Sequence, residues 1–531
     1  MRPVLLALLA LLLLAPAAGA ADDYDFRNLS EPRFTQFVVE EHRVPTPYGT
    51  IYGWVRRPVG AEDAPVILRY SPYAVLESQQ PGSDPLTGFY NPRGYAVAFF
   101  HLVGTGWSGG CTDYGGVRER RTARDVVDFL GSQAWSNGRV GMIGGSYDGT
   151  TQWAAAVEQP EHLATIVPQV AISRWYDYAF GQGVRFLSGY LTPLAFDYGF
   201  SQTPVVATDP SKLPLQEKLV DDVRPCDNVE HQLRAYSHDP VHDGWWDERD
   251  YRAMADRVEV PALVEGSWTD YNVHSINTIA MWDAVERRDR RHKLVMGLQG
   301  HGVPGFVPIA ELHHAWFDRY LLGRDTGVED VPRVQSQLNG GPTPRLEADS
   351  PSWPPPATRT RELVLGTDLT GDDRVWRDVN PQLRESDAAA GSGGEAAIRF
   401  LGAPAAERSR LVGRPRLRLT VVTDQEETQV TPVLFEQTAA GTRTIITRGL
   451  LNALNRKGVE TSEPLAPGVP WTGTVAFQPL DHLLSAGSRL GVALMSMNGS
   501  EAFLPDDDPL ATNELREGVL ELEVAPAPEA P

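Results

Sequence analysis

The chain of 531 residues holds only two cysteines, Cys111 and Cys226. That scarcity excludes a disulfide-dense scaffold, and without histidines nearby the two make a poor zinc site. No His, Cys, Asp or Glu cluster has metal-ligand spacing, and no internal repeat recurs. Positive charge is also short. The formal net charge of −21 argues against nucleic acid and against an acidic membrane surface as partners. Beyond the first twenty or so residues no apolar run is long enough to span a bilayer.

What is present begins with a leader-like segment. Arg2 supplies a positive start, residues 5–14 are a short apolar run, and Ala18-Gly19-Ala20 precede Ala21 as a small-residue cleavage site. Residues 1–20 therefore read as a signal peptide. The mature protein is expected to be secreted or periplasmic, with no lipid anchor. Export makes a Cys111–Cys226 disulfide the expectation, two separate thiols being the alternative.

The chain is too long for one core, so two or three domains are expected. Residues 21–60 are β-rich, with strands at 37–39 and 51–55 around turn-like residues 45–49. Apolar strands then alternate with helices. The strands are 66–68, 95–100, 141–143, 164–167, 260–264 and 294–296, and Ala123, Val126, Val127 and Leu130 recur at helical spacing. That alternation predicts an α/β fold with a parallel sheet. Between 173 and about 254 it stops, and an aromatic-rich stretch reads as a helical cap insertion. Residues 339–356 have the Gly and Pro content of a linker, so the catalytic domain is placed at 21–345. Period-two patterns such as Leu417, Leu419 and Val421 place a β-sandwich at 346–524, before a disordered tail at 525–531.

The densest chemical signal is Gly144-Gly145-Ser146-Tyr147-Asp148-Gly149-Thr150, between a strand-like and a helix-like segment. A serine between glycines at such a turn is a nucleophile-elbow arrangement. The usual second glycine, two places after the serine, is here Asp148. A serine hydroxyl needs a base, and the base an orienting carboxylate, in the chain order Ser, Asp or Glu, His. Asp270 and His301 follow successive predicted strands and fill these roles. Glu265 is the alternative carboxylate. His313 and His314 are the alternative bases, read as helical and surface-facing. The oxyanion donors are the Tyr147 backbone N–H and the Tyr73 hydroxyl, although Tyr73 also reads as a packing residue.

These motifs carry a resemblance. Residues 144–150 resemble the G-x-S-Y-x-G elbow of the Xaa-Pro dipeptidyl-peptidase and cocaine-esterase superfamily, whose second glycine stands where Gly149 does. Residues 104–111 are similar to the G-T-x-x-S-x-G-C loop of the Xaa-Pro peptidase branch, and Trp175-Tyr176-Asp177-Tyr178 resembles a segment of the same branch. Ser71-Pro72-Tyr73 resembles the family's Pro-Tyr oxyanion motif. Gly266, Asp270, Gly300 and His301 match its acid and base positions. Residues 447–451 and 470–490 look like its jelly-roll domain. His101-Leu102-Val103 departs from the pattern, since relatives often carry Asp and Arg there.

The resemblance implies an α/β-hydrolase domain with a helical cap and a C-terminal β-sandwich of jelly-roll type. It implies a serine hydrolase that needs no cofactor or metal and acts on a peptide or a small ester or amide. Release of N-terminal Xaa-Pro dipeptides is the first expectation, with a carboxylesterase or acylase as the alternative and a non-catalytic binding protein as a rival. Trp175, Tyr176 and Tyr178 are the expected aromatic wall for a proline ring, and Asp177 or Glu248 the expected partner of a substrate ammonium. Homo-oligomerisation is left open.

Overall fold

The computed structural model describes residues 24–73, 81–186, 226, 241–340, 346–371, 373–380, 382–496, 498–499 and 510–528. The leader at 1–20, most of the insertion between 187 and 240, and the last residues of the tail lie outside them.

Strands β1 (Phe37–Thr46) and β2 (Gly49–Pro58) form an antiparallel hairpin. Pro45 and Thr46 stay in the strand, so the turn is shorter than the Pro-rich sequence suggests. β2 pairs antiparallel with β4 (Ala96–His101), and the sheet then runs parallel. β4 pairs with β3 (Ala64–Ser71), β3 with β5 (Ser136–Gly145), and β5 with β6 (Leu163–Gln169). Beyond the two-residue strands β7 (Phe180–Gly181) and β8 (Val184–Arg185), the main sheet resumes. β6 meets β9 (Leu263–Ser267), which pairs with β10 (Lys293–Gly297). All six residues of β4 are buried, as expected where helices cover both faces of a parallel sheet.

Alternation along each strand sorts side chains into two cores. Val66 and Leu68 point to the face covered by α2 (Val117–Gly131) and α3 (Tyr147–Ala156), which follow the short α1 (Pro85–Tyr90). Ala123, Val126, Val127 and Leu130 of α2 are fully buried there, and burial of Val126, Val127 and Leu130 contributes ~1.5–3 kcal/mol each. Ile67, Val97, Ile143 and Val167 point to the other face. There Trp316, Phe317 and Leu321 close the core from the long helix Ile309–Leu322.

Two local expectations are corrected. The strand expected at 260–264 begins instead at Leu263, because Pro261 has no N–H for the ladder and pairing with β10 opens at Leu263↔Lys293. Glu265 therefore sits inside the strand, not in the loop after it. His313 and His314 are helical but not surface-facing. His314 is buried, where it meets Ser30 and Asp318, and His313 turns under the sheet toward Glu265.

The described part of the insertion is α4 (Trp175–Ala179), the β7–β8 hairpin, α5 (Gly244–Asp247) and a 3₁₀ stretch at Arg252–Arg257. Its two ends bind each other, with Trp175 N–H donating to the Arg249 carbonyl and Tyr251 N–H to that of Ser173. Two longer helices follow, α6 (Ser275–Glu286) and α7, the Ile309–Leu322 helix already met.

The segment with linker composition is structured on both sides of residues 341–345. β11 (Val334–Gly340) extends the sheet parallel to β10, and β12 (Leu346–Ser350) returns antiparallel to β11. Trp353 is buried and stacks on Trp268. The end of β11 also pairs with Leu480–Leu484, so the hydrolase sheet and the C-terminal part share backbone hydrogen bonding. The C-terminal part is a β-sandwich of two antiparallel sheets. One holds Arg416–Thr423, Trp471–Ala476 and Thr512–Ala525; the other holds Ala397–Pro404, Gln429–Gln437 and Arg489–Met495. Leu417, Leu419 and Val421 meet Leu434, Val492 and Leu494 between them. Of the tail, Ala525 is buried as the end of its strand, and the Pro528 carbonyl accepts from Arg408.

Candidate active site

Ser146 stands between β5 and α3 with φ 60° and ψ −124°, a strained conformation outside the regions usual for a side chain larger than glycine. Its N–H donates to the Gln169 carbonyl at 2.9 Å, which pins the turn to the end of β6. Two of the flanking glycines are required by space. A Cβ on Gly144 would meet Asp148 Cβ at 2.5 Å, and one on Gly149 would meet the Gln169 carbonyl oxygen at 2.7 Å. Gly145 is under no such constraint, its nearest neighbours being 3.8 Å away.

Asp148 occupies the place where many elbows have glycine, and Arg69 accounts for it. The Arg69 guanidinium lies 2.7 Å from Asp148 Oδ2 and 2.7 Å from Asp84 Oδ2. Asp84 in turn caps α1 through the Leu86 N–H. Burial raises the Asp148 pKa, and the charge of Arg69 pulls against that rise. Arg69, near the end of β3, thus ties that strand and the cap of α1 to the first turn of α3. Just past β3, Tyr73 reaches the elbow. Its hydroxyl is hydrogen-bonded with Ser146 and accepts from the Tyr147 N–H at 3.4 Å. Burial, then the nearby Asp148 charge, push the phenol up to about 12, so it stays a protonated donor at neutral pH. Ser146, Tyr147 and Tyr73 are therefore brought together.

Asp270 and His301 are brought together as well. Nδ1 of His301 lies 3.0 Å from Asp270 Oδ2, and the other carboxylate oxygen accepts from the N–H groups of Asn272 and Val273. Asp270 is buried, whereas the His301 side chain is 24% exposed. Burial lowers the His301 pKa, but the Asp270 charge and hydrogen bond outweigh it, so the net shift is upward. Gly300 has φ +64° and its N–H donates to Thr269 Oγ1, joining the two loops. Both loops leave the same sheet end as the elbow. Glu265, the alternative carboxylate, instead accepts from His313 at 2.6 Å and from Gln169 at 2.7 Å.

The insertion residues are placed differently. Trp175 packs edge-on against Tyr147 and Tyr178, while Tyr176 packs with Phe180, His242 and Trp246 inside the insertion. All three are buried. Asp177 is held by Arg174 and Arg252, and the exposed Glu248 lies 3.7 Å from Arg249. Cys111 and Cys226 are joined by a disulfide that ties the loop after β4 to the insertion. His101, at the departure from the family pattern, is buried and accepts from the Trp107 N–H.

Sequence reasoning missed the supports behind this site. The sandwich residue Arg448, clamped by Glu385 and stacked 3.8 Å over Tyr271, braces the segment after Asp270. Trp268 donates to Ser336, which donates to Asp481, which binds Arg410. The only signals for these contacts were isolated charged residues in strands, which carry no partner information.

Residues 52–303 match the family model described as X-Pro dipeptidyl-peptidase (S15 family). Residues 326–519 match that of the X-Pro dipeptidyl-peptidase C-terminal non-catalytic domain. A Bacillus cereus protein provisionally named Xaa-Pro dipeptidyl-peptidase is 27% identical over 87% of this chain and 81% of its own. The crystal structure of a CocE/NonD family hydrolase from Staphylococcus aureus superposes with a TM-score of 0.75 at 17% identity, covering 93% of this chain and 94% of that one. An alpha-amino acid ester hydrolase superposes with a TM-score of 0.72 at 17% identity, covering 96% of this chain and 98% of that one. Over both of its parts, then, the chain is similar to X-Pro dipeptidyl-peptidases of the S15 family, and its α/β-hydrolase sheet with a C-terminal sandwich is the fold it shares with the CocE/NonD family hydrolase.

Proposed function

We propose that the protein hydrolyses amides or esters through an acyl-enzyme on Ser146, and that its substrates are peptides with proline second from a free N-terminus. Ser146 Oγ attacks the carbonyl carbon as His301 takes its proton. Asp270 orients the imidazole and stabilises its cation. The carbonyl oxygen, now an anion, is held by the Tyr147 N–H and the Tyr73 hydroxyl. Collapse expels the amine or alcohol, which takes the proton from His301. Water then repeats the sequence, its proton passing to His301, and releases the acid and the free serine. The observation that carries this reading is the meeting of the Tyr73 hydroxyl and Tyr147 N–H beside a serine held at positive φ.

The dipeptidyl-peptidase reading is supported by the S15 match over the catalytic part. One observation favours the esterase or acylase reading: Asp177, which a substrate ammonium could have used, already has two guanidinium partners. Glycyl-prolyl p-nitroanilide, its N-acetyl derivative and p-nitrophenyl acetate separate the two. Faster cleavage of the free-amine anilide than of its acetylated twin supports the peptidase. Faster turnover of the acetylated compound or the ester replaces it with the esterase or acylase. Export is part of the proposal, supported by the pattern of residues 1–20 and the Cys111–Cys226 disulfide. Sequencing of secreted material should begin at Ala21, and an intact Met1 in the cytosol rejects export.

A further inference from the structure

A buried carboxylate stands behind the elbow and has no part in the chemistry just described. Glu119, in the first turn of α2, is 2% exposed. Its Oε2 accepts from the Tyr147 hydroxyl at 2.7 Å and from the Gly115 N–H at 2.9 Å, and its Oε1 accepts from the Asp113 N–H at 3.1 Å. In the mechanism proposed above, Tyr147 supplies the backbone N–H that holds the oxyanion, and in the structure that N–H donates to the Tyr73 hydroxyl. The Tyr147 ring runs away from the site, is 4% exposed, and is held at its far end by its own hydroxyl and by the edge of Trp175.

We propose that Glu119 is a positioning residue, whose ionised carboxylate holds the Tyr147 side chain and thereby aims the Tyr147 N–H at the oxyanion. This rests on the reading of Ser146 as the nucleophile. A carboxylate is suited to the place because three donors converge on it, and two of them are backbone N–H groups that can only donate. A neutral acid or an amide would set a proton against one of the N–H groups or reverse the hydrogen bond from the Tyr147 hydroxyl, giving up its charge-assisted strength. The hold is therefore strong only while Glu119 is charged.

The surroundings make that charge sensitive to pH. Burial, then the neighbouring Asp113 carboxylate, push Glu119 up to about 7, against the hydrogen bonds from Tyr147, Asp113 and Gly115. Burial raises Asp113 too, opposed by the Arg118 N–H and the Arg249 charge. The groups that face the pair are Arg118 and Arg120 on α2, Tyr70 on β3, Tyr147 on α3, and Arg249 and Tyr251 from the insertion. Arg249 donates to the Asp113 carbonyl and Tyr251 to the Gly115 carbonyl, so the insertion fixes the same loop that holds Glu119. Ionisation of Glu119 should therefore add a second proton to the acid limb of the reaction, beside that of His301.

The test needs no knowledge of the natural substrate. The rate at which a fluorophosphonate labels Ser146 is measured between pH 5 and 9 in full-length wild type, E119Q and Y147F. In wild type the logarithm of the rate should rise with a slope approaching two below neutrality. In E119Q it should rise with a slope of one, and the limiting rate should fall roughly 10–100-fold while the saturation constant of the label holds. Y147F removes the same contact from the other side and should repeat both effects. It decides the matter if E119Q does not fold. Wild-type rates and a wild-type acid limb in the folded variants overturn the role of Glu119 and leave the nucleophile assignment standing. A wild-type protein that takes no label at Ser146 overturns both.

Discussion

The strand β9 and the loop behind it carry two carboxylates, and each holds a histidine. Asp270 binds His301 at 3.0 Å, and Glu265 binds His313 at 2.6 Å. The chemistry of the pairs is the same and their placement is not. Asp270 lies past the strand end, its spare oxygen fixed by two backbone N–H groups, and His301 stays partly open to solvent. Glu265 lies within the strand on the face covered by α7, and its spare oxygen takes the amide of Gln169. The backbone carbonyl of Gln169 holds the Ser146 N–H. One pair faces the sheet end from which the elbow projects, and the other braces the elbow from beneath. A histidine–carboxylate contact is thus no sign of catalysis until its position relative to the strand end is known.

The comparison breaks most sharply at the histidines. His301→Ala should reduce turnover by about 10⁴–10⁶, the range expected when a triad base is removed. His313→Gln should leave the rate near that of wild type and lower stability by about 1–3 kcal/mol in urea titration, because it disturbs a buried charged partner. Equal losses from the two would erase the distinction.

The carboxylates should divide in the same way. Asp270→Asn should cost roughly 10⁴ in kcat, since the amide favours the wrong histidine tautomer. Glu265→Gln should act mainly on unfolding. A smaller loss, roughly 10²–10³ in kcat, is expected from Tyr73→Phe, read against an unchanged melting curve.

The pH dependence sharpens the comparison further. In the proposed mechanism His301 has to be neutral to accept the serine proton, and Asp270 raises its pKa above the ordinary value of 6.5. Activity should therefore rise with pH along a limb centred above 6.5, and the limb should move down in Asp270→Asn. A separate effect, on stability alone, concerns His274, buried beside the acid loop. Burial, helped by the Arg448 charge, lowers it to about 3 from 6.5. A base whose folded pKa is depressed favours folding fully above its unfolded pKa. Stability should fall by ~1.4 kcal/mol per unit as pH drops below 6.5 toward about 3, and His274→Phe should flatten that slope. An unchanged slope would detach His274 from acid unfolding.

Much of the fold was legible because it rests on short-range patterns. The continuous apolar strands gave away the parallel sheet, and the period-two runs around Leu417 marked the sandwich. The pairing of His301 with Asp270 was within reach of chain order, since both follow consecutive strands. The misreadings arose where composition was taken for conformation. Gly and Pro at 339–356 suggested a linker, yet the end of β11 and all of β12 lie there, because backbone pairing with Leu480–Leu484 and between β12 and β11 outweighs a weak local preference.

By itself the sequence determined the elbow and the loops around it. A serine between Gly144 and Gly149, at a change from strand to helix, leaves the backbone few conformations, and those are local matters of steric space. Only the tertiary structure decided which carboxylate meets which histidine. That outcome depends on the register of β9 against β10, which moves Glu265 from loop to strand, and register is set by hydrogen bonds to residues far along the chain. The supports were likewise decided in space. Arg69 reaches Asp148, Glu119 reaches Tyr147, and Arg448 reaches Tyr271 from another domain. A charge in a sequence has many partners open to it, and folding selects one by bringing them within a few ångströms out of water.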